Sequence, residues 1–201
     1  MKLTRQNLFL TIEKSIVNAR ELHTDAKILM ENNRFERSYT CFQFCIEEIG
    51  KASLAYQFLL DDDWSKSSRF LNDLRDHKTK TNTAIGIDML VLKAIENPAL
   101  KKNILLNSQI QSKNLKHLND YKNYSLYVSF INGNPYMPSE IITSKILEEI
   151  EFYATIRLEI ATQFLKIGLQ EFDGVLEAHK SMDKEKVIKK MIDEVEKILL
   201  T

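Results

Sequence analysis

An all-α fold is what the sequence predicts, and three observations carry that prediction. The 201 residues include only five Gly and three Pro, so turns are few and elements long. Apolar residues recur at three- and four-residue steps, whereas strand-like alternation is scarce. Hydrophobic residues make up 44% of the chain, enough for a sizeable core in one domain, with or without an appendage.

The elements follow in order. Leu8, Ile12, Ile16, Ala19, Leu22, Ala26 and Leu29 form the stripe of one long amphipathic helix over residues 4–32. Asn32-Asn33 breaks it. A second helix over residues 34–60 is apolar around most of its circumference, and Asp61-Asp62-Asp63 ends it. A third helical segment starts near Ser65 and carries RFLNDLRDHKTK; Gly86 and the preceding Thr/Asn cluster weaken its continuation. Asn97-Pro98 is a turn, and residues 99–118 read as helix. Residues 121–138, YKNYSLYVSFINGNPYMP, are aromatic and β-branched with an Asn-Gly pair, which predicts an extended segment and loop, or one irregular strand pair. Ser139 is expected to cap a long helix to about residue 170. Asp183 is expected to cap a last helix with Val187, Ile188, Met191, Ile192, Val195, Ile198 and Leu199 on one stripe. The expected division is a helical domain over residues 1–180 and an amphipathic C-terminal helix over 181–201, packed on the bundle or at a dimer or partner interface.

Formal net charge is zero, so total charge makes no case for nucleic acid or acidic membranes. Its distribution is polarised: residues 97–122 hold five Lys against one Asp, and residues 139–177 hold eight acids against three bases. Two solvated helix faces of opposite sign would give the same pattern. Cys41 and Cys45, the only cysteines, are four apart, which is neither a zinc nor a CxxC spacing. Charged residues near the start exclude a signal peptide's apolar run, and no stretch is long enough to span a bilayer. A soluble, cytoplasmic protein without membrane contact is expected. P-loop, dinucleotide, HExxH and GxSxG motifs are absent, and no metal or cofactor is expected.

Three motifs bear chemistry. In CFQFCIEEIGKA, residues 41–52, Gln43, Glu47 and Lys51 form a polar stripe at 100° per residue. Glu48 falls between Phe44, Ala55, Cys41 and Ala52, pointing at or beside the core. A buried carboxylate costs several kcal/mol unless paired, so Glu48 needs a cation or several donors from another element. It is a structural ion pair, or sits on a side of the helix that is wet, or is half of an active-site carboxylate pair. In RFLNDLRDHKTK, Arg69, Asp73, His77 and Lys80 step by four, four and three along one helical face. His77 among cations suits acid–base work at phosphate, and Lys or Arg can bind phosphate oxygens; a solvated charged helix is the alternative. In KNYSLYV, residues 122–128, lysine beside tyrosines suits single-stranded nucleic acid, with Lys122 on phosphate and Tyr127 stacked on a base. The alternative is a loop packing its aromatics into the core. Lys113 and Lys116 extend that basic region.

EEIGKA, then RDHKTK, then KNYSLYV, in this order, resembles the AbiV family of bacterial abortive-infection proteins over roughly residues 20–165. The family pairs an acidic-acidic-x-Gly-Lys helix with a later His-x-x-Lys and a basic-x-x-x-Leu-Tyr-Val element. The resemblance implies a HEPN-like up-and-down helical bundle, commonly dimeric, and a role in phage defence. It also implies activation by an infection-specific signal, with a phage-encoded protein as trigger or target. Many members of the wider superfamily are metal-independent ribonucleases with Arg, four to six residues, then His; here Arg69 leaves seven residues before His77 and Arg75 leaves one.

Two functional expectations result. In the first, an antiviral effector blocks translation, through RNA cleavage if it is catalytic. Its site is Glu47, Glu48, Lys51, Arg69, His77 and Lys80, with Lys122, Tyr127, Lys113 and Lys116 on RNA or a partner. His77 would be the general acid/base, and Lys80, Lys122 or Arg69 would stabilise developing charge. Glu48 is expected to hold Lys80 or Lys122 inside the bundle, and Glu47 to pair with Lys51. In the second, a non-catalytic protein sequesters a translation component or a phage protein, and the same cluster is structural or a contact surface.

Overall fold

The computed structural model describes residues 3–89, 92 and 96–183. Helix α1 (Arg5–Glu31) begins at Thr4, whose hydroxyl accepts from the Asn7 amide. It ends where Asn33 takes a left-handed backbone (φ 57°), which turns the chain into α2 (Phe35–Asp61). Ser38 Oγ donates to the Ala26 carbonyl across this antiparallel pair (2.7 Å).

Helix α2 is the axis of the bundle. It packs against α1, against α4 (His77–Gly86) and against α8 (Ser144–Gln170). Phe42, Cys45, Ile46, Ile49, Ala52, Ala55, Tyr56 and Leu59 enter one core with Leu8, Ile12 and Ala19 of α1 and Leu147, Ala154 and Ala161 of α8. The small residues of α2 let its neighbours approach closely. Gly50 is the extreme: a Cβ there would sit 1.9 Å from the Lys80 carbonyl oxygen, so α4 crosses α2 backbone to side-chain-free backbone.

The all-α bundle expected from the sequence is the one observed, with several boundary corrections. RFLNDLRDHKTK is not one helix. A short helix α3 (Ser67–Asp73) stops, and Asp76 restarts the chain as α4 by accepting from the Thr79 amide (2.6 Å). The Asp76 N-cap outweighs helical continuity, so Arg69, Asp73, His77 and Lys80 do not share a face. The residues 99–118 expected as one helix are α5 (Pro98–Lys113), capped by Asn97 with Pro98 in its first turn, and the start of α6 (Leu115–Tyr124). Helix α6 also claims Tyr121–Tyr124, so the extended segment is shorter than expected. It is a hairpin, β1 (Ser129–Ile131) and β2 (Asn134–Tyr136), pairing Phe130 with Pro135. Asn132 and Gly133 both have positive φ (51° and 83°), as a two-residue type I′ turn requires.

Ser139 does not cap the long helix. It lies in a single turn, α7 (Pro138–Ile141), and Thr143 caps α8 instead. Helix α9 (Phe172–Ser181) closes back on α2 and α8. The amphipathic helix expected after Asp183 lies outside the described residues. No helix among the described residues is long and apolar enough to cross a membrane.

Candidate functional site

Glu47 is the centre. It lies one turn before Gly50 on α2, and its residue is 3% exposed. Because Gly50 admits the α4 backbone, Lys80 arrives beside it with Nζ 3.2 Å from Glu47 Oε2. Lys122, from the last turn of α6, donates to Glu47 Oε1 (2.8 Å). Both lysines are buried. His77, at the first turn of α4, places Nδ1 2.5 Å from Glu47 Oε2. One carboxylate thus receives three donors from two other helices.

Burial pushes the Glu47 carboxyl up. Hydrogen bonds from Lys122 and His77 and the charges of Lys122 and Lys80 outweigh burial and hold it below the usual carboxylate range. Two ammonium groups against one carboxylate leave the cluster with a net positive charge while the imidazole is neutral.

The surrounding polar groups fix α6 in place. The Ser125 hydroxyl donates to the Lys122 carbonyl (2.7 Å) and its oxygen accepts from Thr40 Oγ1 of α2 (2.7 Å). Gln43 Nε2 donates to Thr81 Oγ1 (3.1 Å), a second tie between α2 and α4. The Lys122 ammonium also lies 5.7 Å from the Phe44 ring centre.

His77 differs from every other member of the cluster. Its side chain is 54% exposed, against 4% for Glu47. With Nδ1 against the carboxylate, Nε2 lies on the far edge of the ring. An imidazole oriented from behind by a buried carboxylate, with its other nitrogen unengaged among the described residues, can take and return a proton. Arg75 and Lys78 flank it in the sequence and are exposed.

The expected pairing of the two glutamates is reversed. Glu47, not Glu48, holds Lys80 and Lys122; Glu48 pairs with Lys51 along α2. The reason is that α2 is enclosed on nearly all sides. The polar stripe of Gln43 and Glu47 is buried and faces polar partners on α4 and α6. Arg69 stands apart: it is exposed and its only partner among the described residues is Asp73 (3.8 Å). Lys113 and Lys116 are exposed at the junction of α5 and α6, and Tyr127 is 65% exposed ahead of the hairpin. Among the described residues, no hydrogen bond or ion pair joins these four to the Glu47 cluster. Among the described residues, no group of three His, Cys, Asp or Glu side chains is placed to hold a metal ion.

A second buried ion pair escaped sequence reasoning. Arg157 of α8 forks onto Asp88 with Nε and Nη2 (2.8 and 2.7 Å), and Ser108 Oγ and Gln111 Oε1 complete the set. The signal was an arginine among Ala154, Leu158 and Ala161 on an otherwise apolar stripe.

No curated protein and no solved structure matches the chain. A family model does: that of the AbiV HEPN domain, over residues 8–159. This span takes in α2 with Glu47, α4 with His77 and Lys80, and α6 with Lys122, so the matched region contains the whole cluster. The chain belongs to the AbiV family of HEPN-like helical proteins, and through it to abortive infection, a defence against phage.

Proposed function

We propose that the protein is a cytoplasmic effector that arrests phage multiplication by blocking translation, through metal-independent RNA cleavage at His77. The observation that carries this reading is the half-exposed imidazole seated on a buried carboxylate. His77 Nε2 takes the proton of a ribose 2′-hydroxyl as that oxygen attacks the adjacent phosphorus. The 2′-O–P bond forms, the P–O5′ bond breaks, and the 5′-oxygen leaves with a proton from solvent. Glu47 steadies the imidazolium formed. Lys80 and Lys122 are turned inward onto Glu47, so they act as positioning residues for Glu47 and contribute their field. Arg75 and Lys78, next to His77 in the sequence and exposed, would meet backbone phosphates.

HEPN domains often dimerise, and a homodimer would bring two His77 sites onto one RNA. A phage-encoded protein is the proposed trigger. The direct test is incubation of purified protein with RNA in the presence of a chelator, alone and with infected-cell extract. Discrete fragments that vanish with His77→Ala support the reading. RNA left intact with and without the extract, or cut equally by His77→Ala, sinks it.

One observation favours a second reading, a binding protein that sequesters a translation component or phage protein. Val128, Phe130 and Met137 are 55%, 77% and 54% exposed on and beside the hairpin, an apolar patch suited to a partner.

A further inference from the structure

A cavity of about 200 Å³ lies where α5 and α6 lean over α2 and α8. It is separate in composition from the charged cluster but shares its helices: Gln43, Thr81 and Tyr121 line it, and they stand four, one and one residues from Glu47, Lys80 and Lys122. Its volume is below the roughly 300–1,000 Å³ of sites for drug-sized ligands, so it suits one ring system and not a strand.

The lining has two chemistries. Tyr39, Tyr121 and Tyr153 supply aromatic surface, and Ile46 and Ile150 supply aliphatic surface. Three amides converge among them, each with one end engaged. Gln43 uses Nε2 on Thr81, Gln111 uses Oε1 on Arg157, and Asn114 uses Nδ2 on the Ile110 carbonyl. That leaves the Gln43 and Asn114 amide oxygens as acceptors and the Gln111 amide N–H groups as donors, without a hydrogen-bond partner among the described residues. Tyr39 is 2% exposed, and its hydroxyl makes no hydrogen bond among the described residues. Burial pushes that phenol up and keeps it a neutral O–H. The charges reject an anion: Arg157 is neutralised by its fork on Asp88, and Glu149 is on the lining.

We propose that this cavity is a binding site for an uncharged nucleobase-type heterocycle, taken as a free base or nucleoside. Aromatic walls stack on the ring, the amides and the Tyr39 hydroxyl read its edge, and the Glu149 carboxylate turns away phosphate. The site stands on its own geometry, whether or not His77 cleaves RNA.

The test is calorimetric titration of the full chain with the four ribonucleosides and their bases, the corresponding 5′-monophosphates, and a short oligoribonucleotide. At least one uncharged compound is expected to bind with a dissociation constant tighter than about 1 mM, at least about tenfold tighter than its monophosphate. Ile110, exposed on the lining, is the place to block the cavity. Ile110→Trp is expected to weaken binding by about tenfold or more while the thermal midpoint of the free protein stays put. Glu149→Gln is expected to leave the nucleoside affinity within about threefold and to let the monophosphate bind more tightly. The proposal is overturned by failure of every uncharged compound to bind, by a monophosphate or oligonucleotide binding at least as tightly, or by binding indifferent to Ile110→Trp.

Discussion

Two carboxylates are buried among the described residues, and they are treated differently. Asp88 is closed in: a bidentate guanidinium and a serine hydroxyl meet it, and the Arg157 and Asp88 side chains are 1% and 2% exposed. Glu47 is as deeply buried, yet one of its three donors is an imidazole that reaches solvent. The first arrangement engages both oxygens of Asp88 and fixes α8 against the segment after α4. The second does the same for α2, α4 and α6 but leaves one titratable group facing outward. Burial alone therefore does not separate a structural pair from a site; the fate of the last donor does.

The largest effect should fall on the closed pair. Arg157→Ala leaves an uncompensated buried carboxylate and should destabilise the fold by about 3–5 kcal/mol, read by urea unfolding. Glu47→Gln should cost less, about 2–3 kcal/mol, because two lysines with long stems can shift toward the open side near His77. Its pH dependence separates the two further. The folded-state pKa of Glu47 lies below its ordinary value of 4.5. Its stabilisation is therefore fully present above about pH 4.5 and is lost as pH falls through the folded value. The gap between wild type and Glu47→Gln should accordingly shrink in acid, as unfolding curves across that range would show.

Gly50→Ala should cost about 1–3 kcal/mol, since the added methyl meets the Lys80 backbone and α4 must shift. It should disturb His77 while sparing the Asp88–Arg157 pair, which nuclear magnetic resonance shifts of His77 and Arg157 would distinguish. His77→Ala should change stability least, by about 1 kcal/mol or less, yet abolish phage protection at unchanged protein level.

Much of the fold was legible in the sequence because α1, α2 and α8 carry long, regular apolar patterns. The breaks at Asn32-Asn33 and Asp61-Asp62-Asp63 were legible for the same reason: short polar residues adopt the left-handed backbone seen at Asn33 and Asp62. The restart at Asp76 was not, since an N-cap aspartate inside a charged run looks like one more charge. The candidate site was half legible. Glu47, His77, Lys80 and Lys122 stood in three short motifs, but which glutamate they share depends on what encloses α2. Helical phase gives a direction around α2 and not the neighbour found there, so Glu48 was favoured over Glu47. The role of Gly50 was equally hidden, because it lies in the Lys80 backbone of a helix 30 residues away in sequence. Arg69 matched by spacing alone, and the spacing presumed a helix that Asp76 divides.

RNA integrity and protein synthesis, followed through phage infection in cells making equal amounts of wild type or His77→Ala, test the central claim most directly. The account predicts discrete RNA cuts and translation arrest in infected wild-type cells, and neither with His77→Ala. Translation arrest over intact RNA, with protection preserved in His77→Ala, would contradict it and return the Glu47 cluster to the same structural standing as Asp88 and Arg157.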